Sequence, residues 1–140
     1  MPAIHIQLSS APLPEVQIEK VAQRVLEITE RVLHKAPAVT AVFIDALPAA
    51  RWWIGGENLL DQARSSYCVT IRITDETNTK VEKAQYLCEV HTAMQELLGP
   101  IHPCSYVHVQ DVRATAYGYG GQTQEERYQA ALQMRSTSAP

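Results

Sequence analysis

Apolar residues along this chain fall into two alternating spacings. At the start, Ile4, Ile6 and Leu8 alternate with Ala3, His5 and Gln7, the two-residue period of a strand with one buried face. Pro12 and Pro14 end that strand. A helix is predicted from near Pro14, since proline is tolerated in a first helical turn. Val16/Ile18, Val21/Ala22, Val25, Ile28, Val32 and Leu33 keep roughly helical spacing to about His34, where Pro37 stops the run. Val39 to Ile44 is the next predicted strand. Two strands with a long helix between them fit a right-handed βαβ crossover with parallel strands.

The pattern then recurs. Tyr67 to Thr74 reads as a strand, and Thr77, Asn78 and Thr79 offer helix caps. Val81, Ala84, Tyr86/Leu87, Val90/His91, Met94, Leu97 and Leu98 form an amphipathic helix ended by Gly99-Pro100, and Tyr106 to Val112 is the closing strand. An offset of 65 residues (120 − 55 = 65) lays Gly55-Gly56 on Gly120-Gly121, and Ile4 to Leu8 on Val69 to Ile73, without a gap. The glycine pairs supply the backbone freedom of tight turns.

The predicted fold class is therefore α+β: two in-register β-α-β units form a four-stranded mixed sheet with two helices on one face. The 140 residues are read as a single domain, with repeat 1 at about 2–64, repeat 2 at about 67–121 and a tail at 122–140. Gln122 to Met134 is expected to form a short tail helix whose Tyr128, Ala131 and Leu132 pack on a neighbour. The terminal Ser-Thr-Ser-Ala-Pro is expected to be disordered. His5, Gln7, Phe43, Thr70, Arg72, Tyr106, His108 and Gln110 fall on the sheet face without helices. A bare sheet face is unusual for a monomer, so other subunits are expected to cover it, most simply in a homotrimer.

Composition narrows the function classes. A net charge of −3 gives no global basic field for nucleic acid or an anionic membrane, and no apolar run approaches a membrane span. Cys68, Cys88 and Cys104 form no CxxC pair and read as reduced thiols, which makes the cytoplasm the expected compartment. His102, Cys104 and His108 do not make a metal site, because Cys104 and His108 have opposite strand parity and no further ligand joins them at a recognised spacing. The glycine turns lack nucleotide-binding spacings. No cofactor or metal is expected.

The candidate chemistry begins at Pro2. If Met1 is removed, Pro2 becomes a free secondary amine at the head of the first strand. A free α-amino group titrates near 7.7–8.0, and burial disfavours its charged form, which would leave a neutral base at pH 7.

Pro2, the duplicated βαβ units and the segment Arg51-Trp52-Trp53-Ile54-Gly55-Gly56-Glu57 together resemble the tautomerase superfamily, in its oxalocrotonate tautomerase-like, fused form. The resemblance covers about residues 2–121. It implies a cofactor-independent keto-enol tautomerase or isomerase of a small enol or 2-oxo acid, with Pro2 as general base. It implies further that Trp52 lines the proline pocket, and that Tyr106 polarises the substrate and His108 donates to it from a neighbouring subunit. Lys35 and Arg51 are the implied holders of the substrate anion, and Arg72 is placed in an intersubunit channel.

The sequence departs from the family where arginines bind substrate. Pro12 and Ala41 stand at the two arginine positions of oxalocrotonate tautomerase. Thr74-Asp75-Glu76-Thr77 stands where the dehalogenase and malonate-semialdehyde decarboxylase branches carry theirs, which disfavours both chemistries. A hydratase or dehalogenase acting on an unsaturated acid, and a non-catalytic trimeric scaffold, are the alternatives.

Overall fold

Why the chain takes this form is clearest in its two central strands. In β1 (Ala3–Ser9) and β5 (Ser66–Thr74), Ile4, Ile6, Leu8, Tyr67, Val69, Ile71 and Ile73 all point to one side and are buried. Helices α1 (Glu15–Leu33) and α3 (Lys80–Leu98) cover that side with Val21, Val25, Ile28, Val32, Leu33, Tyr86, Val90, Ala93, Met94 and Leu98. Each such fully buried aliphatic side chain stabilises the fold by roughly 1.5–3 kcal/mol before entropy is counted. The computed structural model describes residues 2–138.

The sheet order is β2-β1-β5-β6, with β2 at Ala41–Ala46 and β6 at Tyr106–Val112. β1 runs parallel to β2 and β5 parallel to β6, while β1 and β5 are antiparallel. The fold is the α+β arrangement that the periodicity predicts. The repeat holds residue for residue: Ile4 pairs with Val42, and at the same offset (69 − 4 = 65, 107 − 42 = 65) Val69 pairs with Val107. The hairpin β3 (Trp53–Ile54) with β4 (Glu57–Asn58) likewise maps onto β7 (Gly118–Tyr119) with β8 (Gln122–Thr123). Gly55, Gly56, Gly120 and Gly121 all have positive φ, the backbone of a tight hairpin turn. The short α2 (Leu59–Gln62) matches the first turn of α4 (Gln124–Ser138).

Three local expectations shift. β2 begins at Ala41 rather than Val39, because a 3-10 turn over Pro37–Val39 engages the Val39 and Thr40 amides with Ala36 and Pro37 carbonyls. The tail helix starts two residues later than expected, since Gln122–Thr123 belong to the hairpin and Thr123 caps α4 reciprocally with Glu126. Ser136, Thr137 and Ser138 continue α4 instead of being disordered, with the Thr137 hydroxyl donating to the Gln133 carbonyl and the Ser138 hydroxyl to Arg135. Ala139 and Pro140 lie outside the described residues.

Candidate functional site

Four chain segments converge at one end of the sheet. β1 and β2 begin there, and the antiparallel β5 and β6 end there. Pro2 leads into β1 and is buried, and its carbonyl accepts the Ala41 amide at 3.2 Å. Since Ala3 pairs with Arg72, Pro2 lies level with Ile73 of β5. The next residue, Thr74, lines a cavity of about 930 Å³.

That cavity is built from His34, Lys35 and Ala36 after α1, the turn Thr74 to Thr77, Arg113 to Thr115 after β6, and Gln124, Glu125 and Tyr128 of α4. His34 ends α1 in the left-handed region at φ 57°, which turns the chain so that Lys35 faces the β5 turn. The Lys35 ammonium donates to Thr77 Oγ1 at 2.9 Å. Burial pushes its pKa below the usual lysine value, against the pull of the Glu82 and Asp111 carboxylates. Asp75, Glu76 and Glu125 also line the cavity, and Glu125 accepts from Gln129 Nε2 at 2.8 Å. Among the described residues neither Lys35 nor Arg113 is ion-paired, whereas Lys83 is tied to Asp111 at 2.6 Å. Gln124 Oε1 is buried with no hydrogen-bond partner among them.

The candidate residues divide between the two ends. Pro2 and Lys35 stand at this end, with Lys35 in the cavity wall and Pro2 behind Thr74 rather than among the lining residues. Tyr106 and His108 are exposed on the helix-free face, their rings stacked 5.8 Å apart. Tyr106 is opposite Cys68, which is opposite Gln7, so within one chain it is roughly 19 Å from Pro2 at ordinary strand spacings. Arg51 and Trp52 follow β2 at the far end, Arg51 exposed and Trp52 half-buried with its carbonyl accepting the Leu59 amide. Arg72 is exposed on the same face as His5 and Gln7. His102 uses its Nδ1 to accept the Cys104 amide at 3.0 Å.

Sequence reasoning missed Arg113, Tyr117 and Gln124. Tyr117 is Trp52 carried through the repeat (117 − 52 = 65), and its hydroxyl is hydrogen-bonded to Thr74 Oγ1 at the Pro2 end. The repeat was the signal that would have found it.

The same offset exposes a counterpart cavity at the other end, of about 270 Å³. Ser9, Ser10, Ala11, Ala49, Leu59, Leu60, Ala63 and Pro100 line it, matching Thr74, Asp75, Glu76, Ala114, Gln124, Glu125, Tyr128 and Lys35 in order. There the strand approach is closed by Ser65, whose amide donates to Pro100 and whose hydroxyl bonds Ser10 and Leu98. Tyr67 takes the place of Pro2, with its hydroxyl 2.6 Å from His91 Nδ1.

Two βαβ units joined antiparallel, each ending in a glycine hairpin, make up the fold. Solved structures that share it include a native fused 4-OT, 20% identical, with 89% of this chain and 97% of that one covered at a TM-score of 0.76. Pt0534 inactivated by 2-oxo-3-pentynoate is 13% identical, with 89% and 98% covered at 0.78. A macrophage migration inhibitory factor-like protein of Entamoeba histolytica is 16% identical, with 87% and 97% covered at 0.69. At these identities the likeness is one of fold. No family model and no curated protein matches the chain.

Proposed function

We propose that this protein is a cofactor-independent keto-enol tautomerase of a small enol or 2-oxo acid, with Pro2, freed by removal of Met1, as its base. The observation that carries the reading is the buried Pro2 at the head of an interior strand, at the sheet end where the larger cavity opens. With Met1 attached, the Pro2 nitrogen is an amide and has no basic lone pair. Once freed, it takes the enol hydroxyl proton as the carbonyl forms and returns a proton to carbon as its conjugate acid. A positioned general acid–base of this kind contributes typically ~10²–10⁴-fold.

The assembly we propose is a trimer of the kind named for fused 4-OT. The exposed helix-free face, with Phe43, Tyr106 and His108, is the surface a neighbour would cover. Packing of copies would also be the means of bringing Tyr106, His108, Trp52 or Arg51 towards Pro2 of another subunit, since one chain holds them at the opposite end or across the sheet. The free thiols of Cys68, Cys88 and Cys104 fit the cytoplasm, and no described helix is long and apolar enough to cross a membrane. Lys35 and Arg113 beside the turn Thr74 to Thr77 place cations near the arginine-free segment, which favours catalysis over a bare scaffold.

The test uses 2-oxo-3-pentynoate, the inactivator of Pt0534, whose ketone-conjugated alkyne accepts addition of an amine. Intact-mass and peptide analysis are expected to show a mature chain lacking Met1 and one adduct on Pro2. A retained Met1, or labelling only elsewhere, overturns the proposal. Light scattering on the full chain is expected to give three times the 15.6 kDa chain mass, and a stable monomer removes the shared-site part of the reading.

A further inference from the structure

The two cavities are an internal control. They are formed by the same elements in the same register, so what differs between them is not required by the fold. Across the 65-residue offset Lys35 stands against Pro100, Arg113 against Pro48, Gln124 against Leu59, Glu125 against Leu60, and the pair Asp75 and Glu76 against Ser10 and Ala11. Each change exchanges a charged or amide group for a small or apolar one. A protein that needed only the frame would have no use for two cations, three carboxylates and a buried, unpartnered amide oxygen around one opening.

We infer that the larger cavity binds a small 2-oxo or enol monoacid, with Arg113 and Lys35 holding its single carboxylate and the acidic wall of Asp75, Glu76 and Glu125 rejecting a second one. This rests on the reading of the Pro2 end as the reacting end. Arg113 follows β6 directly and its planar fork suits a carboxylate, while Lys35 lines the same cavity from beyond α1. Lys35 is positioned by Thr77 and makes no direct ion pair among the described residues, although the Glu82 and Asp111 carboxylates lie near enough to act on it. Gln124 lines the same cavity, and its Oε1 is buried without a hydrogen-bond partner among the described residues. The selectivity is repulsive in origin: a dicarboxylate anchored at Lys35 and Arg113 would bring its far charge against Asp75, Glu76 or Glu125, and like charges brought together across an interface are disfavoured. A single carboxylate held by Lys35 and Arg113 leaves no need for arginines at positions 12 and 41, where Pro12 and Ala41 stand.

The test measures binding separately from turnover. The full-length protein is titrated calorimetrically with 2-oxohexanoate and with 2-oxoadipate, which have the same chain length and differ in the second carboxylate. Wild type is expected to bind 2-oxohexanoate more tightly, Arg113→Ala to weaken it by roughly tenfold or more, and Glu125→Gln to narrow the gap to 2-oxoadipate. Arg64→Ala, in the counterpart cavity, is expected to leave both affinities unchanged. Equal affinity for the two acids in wild type, or equal effects of the Arg113 and Arg64 variants, overturns the inference. The base is judged by turnover of Pro2→Ala. Loss of binding in Arg113→Ala with full turnover in Pro2→Ala leaves the carboxylate site standing and removes the base, and the converse removes the carboxylate site alone.

Discussion

At one end of the sheet Lys35, Arg113 and Gln124 stand around an opening of about 930 Å³. At the other, Pro100, Pro48 and Leu59 hold the matching positions, and the opening shrinks to about 270 Å³. The strand pairing beneath the two is the same, register for register. Buried aliphatic positions at a period of two on the strands, and at helical spacing on α1 and α3, determine the frame and are kept in both halves. The groups that would bind a ligand lie after the strands end, where they cost the core nothing and are free to differ.

The sharpest way to break this comparison is to treat the paired positions alike. Pro2→Ala is expected to lower kcat for ketonisation of phenylenolpyruvate by roughly 10²–10⁴-fold. Tyr67→Phe, at the equivalent position of the second repeat, is expected to leave kcat within about twofold, because the lost hydroxyl serves the bond to His91. Equal losses in both variants would show that the two ends are not functionally distinct.

A second pair of substitutions separates the two faces of the sheet. Ile6→Ala, fully buried under the helices, is expected to cost about 2–5 kcal/mol in urea unfolding. Phe43, half-exposed and stacked on His5, belongs to the other face. Phe43→Ala is expected to change unfolding of the isolated chain by under about 0.5 kcal/mol while weakening assembly in sedimentation. If it instead unfolds the monomer, that face contributes to the core and is not a surface for a neighbour.

Most of the frame was legible in the sequence because its cause is local and periodic. Alternation, helical spacing and the glycine pairs each act within a few residues, and the 65-residue repeat added a second reading of every element. The misses have the same origin. Val39 reads as strand by residue type, but Pro37 recruits it into a turn, and the polar Ser136 to Ser138 read as loose although the Thr137 and Ser138 hydroxyls bond back into α4. The site was legible only in part. Lys35 falls in the cavity wall, whereas Arg113 and Gln124 show no local periodic pattern and meet only through the end of β6 and the α4 turn; Tyr117 is legible only as Trp52 carried through the 65-residue offset. Tyr106, His108, Trp52 and Arg51 do not meet Pro2 within one chain, and only the proposed packing of copies would bring them to it.

The buried phenols add a comparison in pH. Burial pushes the Tyr67 and Tyr86 hydroxyls up to about 12, with the bond to Thr29 opposing this slightly at Tyr86. In the unfolded chain they titrate near 10. Between these values the folded state holds more protons, so their contribution is complete below about pH 10 and is lost as pH rises towards 12. Urea midpoints are therefore expected to be flat at neutral pH and to fall above pH 10. Tyr86→Phe should flatten that fall while costing about 1 kcal/mol at pH 7, because the Thr29 hydroxyl keeps its bond to the Val25 carbonyl at 2.7 Å.

The smallest expected effect compares the starts of the two long helices. α3 begins with a reciprocal cap, in which Thr79 Oγ1 accepts the Glu82 amide at 3.1 Å and Glu82 Oε1 accepts the Thr79 amide at 2.7 Å. The equivalent residue before α1 is Pro14, extended at φ −72° and ψ 156°, with no side-chain hydrogen bond. Thr79→Ala is expected to cost about 0.5–2 kcal/mol. The reverse graft, Pro14→Thr, restores a hydroxyl three residues before Gln17, the spacing of a capping box, but Gln17 already donates to the Leu97 carbonyl and holds α1 against the end of α3. Only the hydroxyl half of the cap can then form without breaking that bond. The gain in unfolding free energy is expected to be below about 0.5 kcal/mol, offset by the greater unfolded-state freedom that replacing proline brings. A gain equal to the Thr79 loss would show that the Gln17 bond contributes nothing to the packing of α1 on α3.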